Sequence, residues 1–157
     1  MPPEWTLIAR VAIGFGLAFI IGFERELRGS AAGDRTFALV GASVAAVTAV
    51  LWRQSPQAVA GAITGIGFIG AGVVLRGQND LVRGVTTAAA IFATAAIGIV
   101  VGVGHIGLGV VSTVGMLFTL ELRNIPVVRR LDARRYQDKF RNDNDPPKPS
   151  APRTAKP

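Results

Sequence analysis

Five apolar runs dominate this sequence, at about Leu7–Phe23, Thr36–Trp52, Ala58–Leu75, Val85–Val103 and Ile106–Leu122. Each is 17 to 19 residues long; apart from Glu121 at the end of the last run, Arg10 is the only charged residue in them. At 1.5 Å per residue, a helix needs roughly 17–25 residues to cross the hydrocarbon of a bilayer. Buried strands would be shorter, with turn signals between them. The runs therefore predict an all-α membrane protein with five transmembrane helices, residues 1–122 forming the membrane domain. Half of the 157 residues are apolar and mean hydropathy is +0.42, too high for an ordinary soluble domain of this length.

Orientation follows from the Lys and Arg in the connections. Segment 24–35 holds Arg25, Arg28 and Arg35, segment 76–84 holds Arg76 and Arg83, and residues from 123 onward hold ten. The other face has Arg53 alone, a split of fifteen against one with Arg10 set aside. This predicts the N-terminus outside and the C-terminus in the cytoplasm. Trp5 and Trp52 then fall at the outer interface, where indole rings prefer to lie. Residues 1–23 lack a basic start and a small-x-small cleavage pattern, so they are expected to stay as the first span. Arg10, near that span's end, is expected to snorkel toward the interface.

The net charge of +7 is carried almost wholly by the last segment, where ten Lys/Arg face four Asp. Residues 123–141 read as a basic juxtamembrane segment lying on anionic lipid, at about 1 kcal/mol per basic residue near the surface. Residues 142–157, "NDNDPPKPSAPRTAKP", are Pro-rich and polar and are expected to be disordered. Nucleic acid is not an expected partner, since only Tyr136 and Phe140 offer stacking surfaces there.

The glycines need interpretation. Gly65-Ile66-Gly67-Phe68-Ile69-Gly70 and Gly102-Val103-Gly104-His105-Ile106-Gly107 both spell the dinucleotide-binding fingerprint GxGxxG. That motif requires a preceding strand and an acidic residue about 20 positions on. The first copy lies within a span, and twenty positions beyond it stands Val85. The second is a hairpin between two spans, and no Lys follows either copy as a P-loop would demand. Small residues instead let helix backbones approach closely in lipid. On that basis Gly61, Gly65, Gly67, Gly70, Gly72, Gly84, Gly98 and Gly102 are the expected helix-packing positions, with the third span unusually narrow on one side.

Polar chemistry gathers on the predicted cytoplasmic face. Glu24, Glu26, Asp34 and Asp80 stand against Arg25, Arg28, Arg35, Arg76 and Arg83. Four acids and five arginines largely neutralise one another, so the expected arrangement is an ion-pair network fastening two hairpins. A magnesium cage would need uncompensated oxygen ligands, and no metal or other cofactor is expected. A functional role for the cluster is the alternative, because charges beside a span are costly and often functional. His105 has no nucleophile nearby, and the chain has no Cys. No catalytic residues, and no enzyme, are indicated. Ser43, Thr64, Thr94 and Ser112 lie within spans and are expected to bond within or between helices.

Three stretches, "GFERELRGSAAGDRT" (22–36), "GAITGIGFIGAGVVLR" (61–76) and "VRGVTTAAAIFATAAIGIVVGVG" (82–104), resemble the signature segments of the MgtC/SapB family of bacterial inner-membrane proteins. The resemblance covers about residues 7–122. It implies a multi-pass protein of the bacterial inner membrane tied to growth in low magnesium and, in intracellular pathogens, to survival inside host cells. It also implies a regulator that restrains ATP synthase, despite the family's older label as magnesium transporters. The polar positions matching the signature are Glu24, Arg25, Glu26, Arg35, Thr36, Arg83, Thr86 and Thr87. Two residues depart from it: Asp34 where an apolar Leu is usual, and Phe37 where His is common. Larger members carry an ACT-like C-terminal domain, for which the 35 residues from Arg123 are too short, so the chain resembles the short, membrane-only members.

Two functions follow. One is regulation during magnesium limitation through contact with a membrane partner such as ATP synthase, or with further copies of the chain. The other is a Mg²⁺ or small-solute transporter or channel. Transport predicts carboxylates or broken helices around a midplane site, and no span has an Asp or Glu at mid-depth.

Overall fold

The computed structural model describes residues 2–74 and 84–122. Arg76, Asp80 and Arg83 of the expected polar cluster lie outside the described residues, as do the basic segment 123–141 and the Pro-rich segment 142–157. The described residues form five helices and no strand: α1 Glu4–Leu27, α2 Asp34–Leu51, α3 Pro56–Val74, α4 Val85–Val103 and α5 Ile106–Glu121. The first four are long and apolar enough to cross a membrane. α5 has only 16 residues, about 24 Å of helix, and would need local bilayer thinning or snorkelling at its ends to span fully.

α1 runs one turn past the apolar boundary at Phe23. Glu, Arg and Leu are good helix formers, so "EREL" continues the helix until Gly29 adopts a φ of 66°. There Ser30 N–H bonds Arg25 O at 3.0 Å and Gly29 N–H bonds Glu26 O at 2.9 Å, the paired closing bonds of a glycine-terminated helix. Glu24, Arg25 and Glu26 are consequently helical, where the sequence pattern put them in a connection. α4 stops in the same way at Gly104, whose φ is 114°.

α2 lies between α1 and α4. Against α1 it runs antiparallel: a Cβ on Gly14 would stand 2.8 Å from Ala45 Cβ, and one on Gly22 would stand 2.7 Å from both Asp34 Cα and Phe37 Cβ. A Cβ on Gly41 would collide with Ala18 Cβ and lie 2.8 Å from Gly14 O. Against α4 it runs parallel, Gly98 meeting Gly41 O at 3.0 Å and Gly102 meeting Ala45 O at 2.7 Å by the same construction. Phe37, Ile21, Ile91 and Val101 are fully buried in the resulting core. α5 joins more loosely, with Gly109 over Val101 and Leu17.

The glycines of α3 do not behave as expected. Gly61, Gly65, Gly67 and Gly72 have nothing within 4 Å of a built Cβ, and only Gly70 touches a neighbour, Ala88, at 3.6 Å. Ile66 is the one buried residue of α3. At 100° per residue, Ile63, Ile66, Gly70 and Val73 share the side that meets the bundle, while Gly61, Gly65, Phe68 and Gly72 line the opposite side. The narrow side of α3 therefore faces away from the other described residues, and close approach among them is supplied by Gly14, Gly22, Gly41, Gly98, Gly102 and Gly109. Gly84 serves a different purpose: it precedes α4 with a φ of 86°, and a Cβ there would lie 2.9 Å from Val73 O.

Span hydroxyls bond mostly to their own helix, Thr94 to Ala90 O and Thr113 to Gly109 O at 2.9 Å each. Ser43 is exposed on α2, and Ser112 is half-buried on α5.

These contacts predict a sharp asymmetry between two glycine substitutions. Gly41→Leu overpacks both helix interfaces and should destabilise the protein by about 1–3 kcal/mol or more, read as a lowered unfolding midpoint in detergent. Gly65→Leu should leave the midpoint of the isolated chain nearly unchanged. Equal effects would contradict the packing described.

Candidate functional site

The polar residues collect where α1 ends and α2 and α4 begin. Glu24 and Arg25, neighbours on the last turns of α1, form an ion pair with side chains only 14% and 11% exposed. Arg28 Nε lies 3.5 Å from the same carboxylate one turn on. A mostly buried carboxylate is thus held between two guanidinium groups, which is how a charge beside an apolar span is made tolerable.

Glu26 does something else. Its Oε2 accepts the Asp34 N–H at 3.1 Å, so α1 satisfies one of the open amides at the start of α2. A carboxylate there also complements the positive end of that helix. Asp34 is the first residue of α2, which favours an acid for the same reason, and its Oδ1 accepts the Arg35 N–H at 2.6 Å. Glu26, Ser30, Gly33, Asp34, Arg35 and Thr36 line a polar recess of 390 Å³. Two acids and one arginine face it. Among the described residues, no group of three or more His, Cys, Asp or Glu is placed to hold a metal.

One contact joins this recess to α4. Ser30 Oγ lies 2.8 Å from Thr87 Oγ1, and Thr87 is buried. Ser30 was not among the residues singled out from sequence; "RGSAAG" offers no pattern that separates it from an ordinary loop serine. Thr36 is half-buried beside the recess, Arg35 is exposed at its rim, and Thr86 is exposed on α4. The expected ion-pair network is therefore narrower among the described residues: charge pairs within the α1 end, and a hydroxyl pair rather than an ion pair reaches across to α4.

Arg10 lies at the opposite end of the bundle. Its Nη1 donates to Gly102 O at 2.9 Å, so the guanidinium rests on the C-terminal carbonyls of α4, a favourable place for a cation. His105 follows in the exposed turn between α4 and α5, as its position between two spans predicts.

The model of the MgtC family matches residues 11–127, from the middle of α1 through α5. The chain belongs to the MgtC family. Its four long apolar helices and this membership make it a multi-pass membrane protein. A Haemophilus influenzae protein is 34% identical over 87% of this chain and 62% of its own length. Protein SapB of Bacillus subtilis is 31% identical over 87% of this chain and 66% of its own. Protein MgtC of Brucella abortus is 43% identical over 70% of this chain and 50% of its own. The chain thus spans about half to two thirds of the length of these curated relatives. No solved structure matches it.

Within this MgtC-family bundle the two departures from the signature have physical accounts. Asp34 opens α2, and Phe37 is completely buried with its Cβ against Gly22. The position where the resemblance leads one to expect His thus holds a packing residue at the α1–α2 contact.

The hydroxyl pair can be tested by a double-mutant cycle in detergent. Ser30→Ala and Thr87→Val should couple by about 0.6 kcal/mol, the average for hydrogen bonds between membrane helices. Strict additivity would show that the pair does not hold α4 to the α1–α2 connection.

Proposed function

We propose that this chain is a regulator for adaptation to magnesium limitation, working in the bacterial inner membrane by helix contact with a membrane partner such as ATP synthase. The N-terminus is placed outside and the C-terminus in the cytoplasm, on the strength of the fifteen-to-one split of basic residues. The polar recess then faces the cytoplasm.

The observation that carries this reading is the outward glycine face of α3. Among the described residues Gly61, Gly65 and Gly72 meet nothing, although small-xxx-small faces are where membrane helices pack most closely. A helix of another protein, or of a second copy, would find there the close backbone approach that Gly41 gives inside the bundle. Family membership supplies the physiological setting, and relatives bear the names MgtC and SapB. A transport reading has less support, since no acid lies at mid-depth in any span.

Two measurements test the proposal. Deletion should slow growth at low magnesium, with rescue by the wild-type chain and loss of rescue by Gly65→Leu at equal membrane abundance. Unchanged growth of the deletion strain at every magnesium level would remove the function. Inverted vesicles containing the chain should show less ATP-driven proton pumping than vesicles without it, and identical pumping would rule out ATP synthase as the partner.

A further inference from the structure

The end of the bundle that carries the N-terminus holds a second cavity, of 660 Å³, with polar groups on an otherwise apolar wall. Arg10, Arg53, Trp52 and His105 line it, with Leu7 and Val103 among its apolar walls. Among the described residues, no Glu or Asp lines it. The nearest carboxylate along α1, Glu4, belongs instead to an adjoining groove and makes no ion pair with Arg10.

The arginine at its centre is only partly satisfied. Arg10 is half-buried and donates from Nη1 to Gly102 O at 2.9 Å. A guanidinium has five N–H donors, and among the described residues that carbonyl is its one hydrogen-bond acceptor. The group is pressed against the end of α4, where a Cβ on Gly104 would lie 2.7 Å from Nη2. α5 begins immediately after His105, so the open amides of its first turn add positive potential at the same end. A guanidinium drawn partly out of water without an anion is unfavourable, and a phosphate is the partner its planar fork fits.

The apolar side of the cavity continues. A groove of 630 Å³ runs along α1 and α2, lined by Ile8, Val11, Phe15 and Ala46, and shares Leu7, Ala49 and Val50 with the cavity. A donor-rich pocket free of acids therefore opens into a lengthwise apolar channel on the outside of the bundle. An anionic phospholipid has both complements, a phosphate with net negative charge and an acyl chain.

We propose that this site binds one anionic phospholipid, its phosphate held by the Arg10 fork with Arg53 and His105 as further donors, and one acyl chain lying in the α1–α2 groove. The site is separate from the polar recess at the other end of the bundle.

Because the chain has two tryptophans, Trp5→Phe leaves Trp52 as a reporter in the cavity wall. The full chain in a neutral detergent is titrated separately with short-chain phosphatidylglycerol, short-chain phosphatidylcholine and inorganic phosphate. Phosphatidylglycerol should give a saturable change in Trp52 emission, at least about tenfold tighter than either other probe. Arg10→Gln should weaken it about tenfold or more, as expected for loss of a charge-assisted hydrogen bond. Arg53→Gln, in an exposed turn where folding is not at stake, should weaken it less but measurably. The proposal is overturned if phosphatidylglycerol gives no saturable change or phosphatidylcholine binds as tightly. It is equally overturned if inorganic phosphate alone accounts for the binding, or if neither arginine variant alters it.

Discussion

Gly41 has a helix against each side of it, and the bundle depends on that double contact. Ala18 of α1 occupies the space its side chain would need, and Gly98 of α4 closes on its carbonyl from the other direction. In lipid, apolarity alone does not draw helices together, so association rests on dispersion at close backbone approach and on the few polar bonds between helices. A larger residue at position 41 would separate α2 from both partners at once. The consequences reach both ends of the protein. With α1 and α4 clamped to one helix, Arg10 of α1 reaches Gly102 of α4 at one end, and Ser30 reaches Thr87 at the other. Neither polar contact could persist if the three helices were spaced by ordinary side chains.

α3 stands outside this clamp. It touches the bundle along Ile63, Ile66, Gly70 and Val73, and presents its remaining glycines outward. The division bears on the proposed function: one set of glycines is consumed in packing the bundle, and another has no neighbour among the described residues. The charged residues divide similarly. Glu24 is neutralised by Arg25 and Arg28 at the end of α1, whereas Glu26, Asp34 and Arg35 border a recess open to solvent.

Much of this was legible in the sequence, for identifiable reasons. Helix number follows from run length and the absence of charge: five helices overlap the five apolar runs, and four of them are long and apolar enough to cross a membrane. Gly98 and Gly102 sit at helix contacts as their spacing suggests, yet Gly61 and Gly65 share that spacing and face outward. Spacing shows that a helix has a narrow side and not what meets it; the partner is set by three-dimensional arrangement, which no local pattern encodes. The extension of α1 through "EREL" was missed because the apolar run stops at Phe23 while helix propensity does not. Ser30 was missed because a loop hydroxyl carries no periodicity. Arg10 extends toward the end of the bundle as snorkelling to the interface implies, but its acceptor there, Gly102 O at the end of α4, has no signal in the local pattern.

Disulfide trapping in native membranes tests the central arrangement most directly, because the chain contains no native Cys. Gly98, with a built Cβ, stands 3.1 Å from Val44 Cβ, a few tenths of an ångström inside the roughly 3.5–4.5 Å that a disulfide spans. Val44→Cys with Gly98→Cys should crosslink rapidly within one chain under mild oxidation, and Gly65→Cys with Gly98→Cys should not. Crosslinking of the second pair without the first would contradict a bundle built on α2 and α4 with the glycine face of α3 turned outward.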